Sequence, residues 1–112
     1  MAYKEGNHSH LVHLGRQYRV DDLIELTKNK PVYNLPVEQL IWIFDYSTPD
    51  EARVLRADLK VPIIVIEEKL ENGAELVVLD GLHRVAKAVR LKKSTILARL
   101  ITPTELKTLK ER

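Results

Sequence analysis

Between Ala74 and Leu91 the chain reads AELVVLDGLHRVAKAVRL, and no other stretch limits the architecture as much. Leu76, Val77, Val78 and Leu79 form a short, β-branched-rich apolar run, the pattern of a buried strand. Just beyond, Leu82, Val85, Ala86 and Val89 fall at i, i+3, i+4 and i+7, the spacing of one helix face, while Arg84, Lys87 and Arg90 line another. Asp80-Gly81 lies between strand and helix. Asp80 is placed to cap the first free amides, and Gly81 allows a tight turn with close backbone approach. A strand that enters a helix through glycine aims several N–H groups at one spot, where the helix dipole also favours negative charge. His83 and Arg84 stand in the first turn, within reach of the same anion. The pattern predicts a phosphate cradle.

The rest of the chain has to supply a core for this unit. With 112 residues, 45% of them hydrophobic and 30% charged, the chain has the make-up of one globular domain rather than a disordered segment. We expect an N-terminal arm over residues 1–19 and the folded domain over 20–112. No apolar run approaches the ~20 residues of a membrane span, and MAYKEGNHSH lacks the apolar core of a signal peptide, so the expected compartment is the cytoplasm, with no membrane partner. The chain has no cysteine, which removes disulfides, a thiol nucleophile and thiolate metal sites. Charge is unevenly distributed. Residues 84–112 hold nine Lys and Arg against two acids, whereas residues 1–83 hold nine against fourteen. A basic C-terminal quarter fits either an anionic partner or an ordinary solvated surface.

In chain order, His8, His10 and His13 form an HxHxxH run, read as part of a polar arm because a structural metal site calls for about four ligands. A helix is expected from Val20 to about Lys28, capped by Asp21 or Asp22, with Leu23, Ile24 and Leu26 inward. Val32–Leu40 reads as a strand passing into a turn, and Pro36 argues for a sheet edge. Leu40–Phe44 (LIWIF) is a core segment. Thr48-Pro49-Asp50-Glu51 opens a helix to about Leu59, with Thr48 as the capping hydroxyl and Ala52, Leu55 and Leu59 inward. Arg53, Arg56 and Lys60 would share its outer face. Val61–Glu67 is a strand buried on both faces, paired through a turn at Glu71-Asn72-Gly73 with Glu75–Leu79. After the helix over 82–92, Thr95–Ile101 is another strand and Pro103 opens a short helix. These elements make an α+β (α/β) domain around one mixed sheet with flanking helices.

VPIIVIEE, the hairpin, ELVVLDGLHRVAKAVRL and KSTILARLITPTEL together resemble the ParB/sulfiredoxin fold superfamily. In that superfamily a strand runs into a Gly-x-His-Arg or Gly-Glu-Arg-Arg box at a helix N-terminus, and Gly81, His83 and Arg84 match the first form. The resemblance spans roughly residues 32–109. It implies a nucleoside triphosphate (ATP or CTP), with Mg²⁺, held by the amides after Gly81 at Leu82 and by the side chains of His83 and Arg84. Arg53, Arg56 and Lys60 are the basic residues that would complete the pocket. Sulfiredoxins carry a reactive cysteine where this chain has Leu82, so the resemblance does not extend to cysteine-dependent repair. Partition proteins continue into a helix-turn-helix and a dimerisation domain, which 112 residues leave no room for.

If the site is catalytic, His83 is an acid or base near neutral pH, and Asp80, Glu67 or Glu68 are the carboxylates to hold Mg²⁺ or orient a hydroxyl. Three functions stay open at this point. One is nucleotide binding, with hydrolysis or phosphotransfer. Another is a DNA-binding protein or nuclease that meets the backbone through Arg84, Lys87, Arg90, Lys92 and Lys93. The last is a regulatory or interaction module without chemistry, working beside a partner protein.

Overall fold

In the computed structural model the described residues are 3–5, 10–13, 16–68, 73 and 75–109, with backbone alone before Arg19. A four-stranded mixed sheet organises the domain. Its strands are β4 (Tyr33–Pro36), β5 (Ile63–Glu67), β6 (Leu76–Asp80) and β7 (Thr95–Ile101), in the order β4-β7-β5-β6. β5 runs parallel to β7 and antiparallel to β6, and β4 runs antiparallel to β7. The α+β mixed sheet expected from the sequence is the one observed.

The strand order explains the composition of each strand. β5 lies between β7 and β6, and four consecutive residues, Ile63 to Ile66, are buried, so both faces are covered. β4 is an edge strand and ends on Pro36, which has no N–H to give to a ladder. Val37 and Ile43 enter the core from two short 3-10 segments, Val37–Gln39 and Ile41–Asp45, and Leu40 enters it from between them. Trp42 packs on that core with its indole N–H donating to the Leu76 carbonyl at 3.0 Å.

Among the described residues four α-helices accompany the sheet. α1 (Val20–Thr27) buries Leu23 and Thr27. It has no side-chain cap, so Asp21 and Asp22 lie in its first turn instead of capping it. Its C-terminal carbonyls, at Thr27 and Lys28, accept from Arg99 Nη1 of β7 at 2.9 and 2.7 Å. α2 is shorter than expected, spanning Glu51–Arg56, with Asp50 as N-cap accepting from the Arg53 amide at 3.1 Å. Val54 is its buried residue, while Leu55 is 75% exposed and Ala52 is exposed. A helix of under two turns has room for one inward position, and Val54 takes it.

α3 (Leu82–Arg90) buries Leu82, Val85, Ala86 and Ala88. Val89 lies on the same side of the helix, but in the last turn it lines an open groove with Ile41 and stays 43% exposed. α4 (Pro103–Leu106) is held by a capping box: Thr102 Oγ1 accepts from the Glu105 amide, and the Glu105 carboxylate accepts from the Thr102 amide.

Ahead of α1, the stretch read as an arm carries a small antiparallel sheet of β1 (Tyr3–Glu5), β2 (His10–His13) and β3 (Arg16–Arg19). His10 and His13 lie in β2, and His8 falls outside the described residues.

Candidate functional site

The turn between β6 and α3 depends on two residues on neighbouring strands. Gly81 has φ +128°, a backbone conformation that side chains disfavour, and a Cβ there would stand 2.3 Å from Ile63 Cγ2. β6 is also irregular just before the turn. Asp80 pairs with Ile64 and Val78 with Val65, so Leu79 is left without a partner in the register. Such an irregularity re-aims the end of a strand.

Gly81 is the N-cap of α3, with no side chain to close over the first-turn amides. The expected cap, Asp80, is still part of β6 and is occupied elsewhere. Its Oδ2 lies 3.0 Å from Arg84 Nη2, in a pair whose side chains are 23% and 15% exposed. A residue one position before the N-cap points away from the free amides, and a guanidinium one turn ahead takes its charge.

Arg84 is more than a surface cation. Its Nη1 donates to the carbonyls of Val61 at 3.0 Å and Pro62 at 2.7 Å, just before β5. Its fork therefore joins the start of β5, the end of β6 and the start of α3. His83 Nε2 accepts a hydrogen bond from the Asp50 backbone amide at 3.1 Å, which ties the turn to the start of α2. The unprotonated Nε2 is what such a bond requires.

The rest of the basic face of α3 also turns onto α2. Lys87 Nζ donates to the carbonyls of Leu55 at 3.0 Å and Ala57 at 2.7 Å, closing the C-terminal end of α2. Arg90 Nη2 donates to Glu51 Oε1 at 2.7 Å. The stripe Lys87–Arg90, offered to DNA by the sequence, is thus engaged within the chain. Lys92 and Lys93, at the end of α3, are exposed.

The other candidates are distributed unevenly. Arg53 and Arg56 lie on α2 beside α3, Arg53 half-buried and Arg56 exposed. Lys60 lies beyond the end of α2, its amide donating to Asp58 Oδ1 at 2.9 Å, so it does not share a helix face with them. Glu68 and Glu67 are not brought to the turn. Asp80 pairs with Ile64 at one end of the β5–β6 ladder, whereas the Glu68 amide bonds the Glu75 carbonyl at the other. Four strand residues put roughly 13 Å between them. Among the described residues no group of three or more His, Asp or Glu is placed to hold a metal ion.

The solved structure of sulfiredoxin from Arabidopsis thaliana matches this chain with a TM-score of 0.50 at 22% identity, over 70% of this chain and 94% of that one. The fold is sulfiredoxin-like. No family model and no curated protein matches the sequence. The sulfiredoxin-like sheet of this chain sets the glycine turn of α3 beside the buried start of β5, with the N-cap of α2 bonded to His83. Among the described residues no helix is long and apolar enough to cross a membrane.

The sequence reading missed the role of Asp50. The signal was present, since an Asp ahead of a helix is as good a cap as Thr and here follows a proline. Its pairing with His83, 33 residues away, leaves no local trace.

Proposed function

We propose that this chain binds the phosphates of a nucleoside triphosphate, ATP or CTP, at the turn Asp80–Arg84, and that hydrolysis or phosphoryl transfer is the chemistry the site serves. The observation that carries this reading is the start of α3 on Gly81. The Gly81 N-cap gives the first-turn amides no side-chain cap bond, and φ +128° turns β6 directly into the helix. Arg84, held by Val61, Pro62 and Asp80, adds a cation from that same first turn. Arg53 and Arg56 on the adjacent α2 add positive potential. Phosphoryl transfer is chiefly a matter of holding charge in place, so amides and cations are suitable equipment.

Mg²⁺ bound with a nucleotide draws most of its ligands from phosphate and water and needs one or two carboxylates. Asp80 is the acid at the turn that fits this role. When bound, the ion would neutralise phosphate charge. The chain has no cysteine, and Leu82 fills the place where the resemblance would put one, so this is a reading of phosphate chemistry rather than thiol chemistry on a sulfiredoxin-like fold.

The test is thermal unfolding of the wild type and Arg84→Ala with Mg²⁺ and ATP, CTP, GTP or a short DNA duplex. Ligand at about 100 times its dissociation constant adds about 2.7 kcal/mol. Arg84→Ala removes charge-assisted hydrogen bonds and costs about 2 kcal/mol by itself, so the quantity compared is the ligand-induced increment in each protein. An increment from one nucleotide, lost in the variant, is the expected result. A duplex that stabilises the protein where no nucleotide does would move the function to DNA binding. No response to either would leave an interaction module.

A further inference from the structure

At the end of α3 away from the glycine turn, roughly 12 Å along the helix, a groove of about 500 Å³ opens to solvent. One wall carries Val37, Glu38 and Ile41, and the other carries Val89, Lys93 and Ser94. The Val37 amide donates to the Ser94 carbonyl at 3.0 Å and ties the walls together, so the groove is built into the fold. Its apolar lining is left half-covered. Ile41 and Val89 are each 43% exposed, and Leu91, which lies between Val89 and Lys93 in the chain and ends α3, is 54% exposed. Aliphatic side chains gathered uncovered at one concavity mark an interaction surface.

Two opposite charges accompany them. Glu38 and Lys93 are both exposed, and among the described residues neither side chain forms an ion pair or hydrogen bond, although they line the same groove. Lys93 thus differs from Lys87 and Arg90, which α2 engages. With one acid and one base the groove has no net charge, so it favours neither a polyanion nor a polycation. It matches an apolar surface that carries the same two charges in exchanged places.

We propose that the occupant is a second copy of this chain, docked about a two-fold axis. In such a contact one patch faces itself, so Glu38 meets the partner's Lys93 and Lys93 meets the partner's Glu38. A patch with one charge of each sign, not paired with each other, satisfies both pairings at once. Leu91 supplies the projecting side chain, and Ile41 with Val89 supplies the hollow that receives it, in both directions. Burial of these aliphatic groups drives the association. The exposed ion pairs add little energy and chiefly fix how the copies face each other. A net charge of +2 opposes their approach only weakly. The glycine turn lies at the opposite end of α3, outside this contact, so the assembly does not depend on a phosphate ligand.

Sedimentation equilibrium of the full chain, from about 10 μM to about 1 mM at low salt, tests the proposal. The wild type should show a concentration-dependent equilibrium of monomer and dimer. Glu38→Lys and Lys93→Glu each set like charges against one another at both ion pairs, and each should weaken dimerisation about tenfold. Mixed in equal amounts, the two variants present opposite charges to each other at both pairs, and association should return. The double variant Glu38→Lys/Lys93→Glu should associate as the wild type does. Mixing does not repair a misfolded variant, so recovery identifies the pairing itself. A wild type that stays monomeric throughout overturns the proposal and gives the groove to a different occupant, a peptide or a small zwitterion. A dimer indifferent to both charge reversals, or one that mixing fails to restore, overturns it as well.

Discussion

Gly81 and Ile63 approach so closely that a Cβ on the glycine would lie 2.3 Å from Ile63 Cγ2 and 2.7 Å from its Cβ. The glycine is required twice over, by a φ of +128° and by the side chain that opens the central strand. The start of α3 is thereby set by β5 as well as by the turn itself.

Gly81→Ala should accordingly cost about 3 kcal/mol or more, from backbone strain and overpacking together. That is a large part of the ~5–15 kcal/mol typical of a domain. Urea unfolding followed by Trp42 fluorescence measures it. A loss below about 1 kcal/mol would mean that Ile63 yields and the turn relaxes.

Lys92 predicts the opposite change. It has φ +56° just past α3, where the Lys93 amide bonds the Ala88 carbonyl at 2.9 Å and the Lys92 amide bonds the Val89 carbonyl at 3.0 Å. This is the Schellman ending, whose left-handed position favours glycine. Lys92→Gly should stabilise the protein by about 0.5–1 kcal/mol, because the left-handed cost outweighs the extra freedom of glycine when unfolded. A rise in the urea midpoint at constant m-value is the expected observation.

Glu105 carries a pH dependence. Lys30 Nζ donates to its carboxylate at 2.9 Å, and this bond, with the Thr102 amide, holds the carboxyl below the usual range despite partial desolvation. A carboxyl depressed in the folded state contributes stability above the ordinary Glu range, lost as pH falls through the folded value. Glu105→Gln should lower stability at neutral pH and flatten the acid limb of the stability profile. An acid limb identical to that of the wild type would place the pH dependence on other groups.

Thr-Pro-x-Glu occurs twice in the chain, and the two copies show how far local sequence reaches. At Thr102–Glu105 the threonine caps, proline takes the first turn and Glu105 completes the box. At Thr48–Glu51 the third residue is Asp50, which caps instead, and its amide meets His83. Both patterns announce a helix start. At the second start the cap is the local Asp50 carboxylate, while the partner of its amide lies 33 positions away.

The same contrast holds at the site. The strand–glycine–helix turn was legible because alternation, helical period and a glycine between them are local properties. Pro36 marked its edge strand, and the run Ile63–Ile66 marked the central one, for the same reason. The role of Asp80 was misread as a cap, since nothing in Asp-Gly tells that Arg84 will hold the carboxylate in β6. Val89 lies on the apolar face by helical angle, yet it stays 43% exposed because it lines an open groove with Ile41.

From Val20 onward, local order alone thus determined the helices and strands, their sequence along the chain and the place where strand becomes helix, whereas the small sheet of β1, β2 and β3 in the expected arm left no such signal. Torsional preference and apolar period act over a few residues and need no partner. Only the tertiary structure decided the fate of the charges. Lys87, Arg90 and Arg84 read as a free basic stripe, yet each found carbonyls or a carboxylate within hydrogen-bond reach once α2 and β5 were packed alongside. A long cationic side chain takes whichever acceptor the fold brings within about 3 Å, and that neighbour is set by packing rather than by sequence distance.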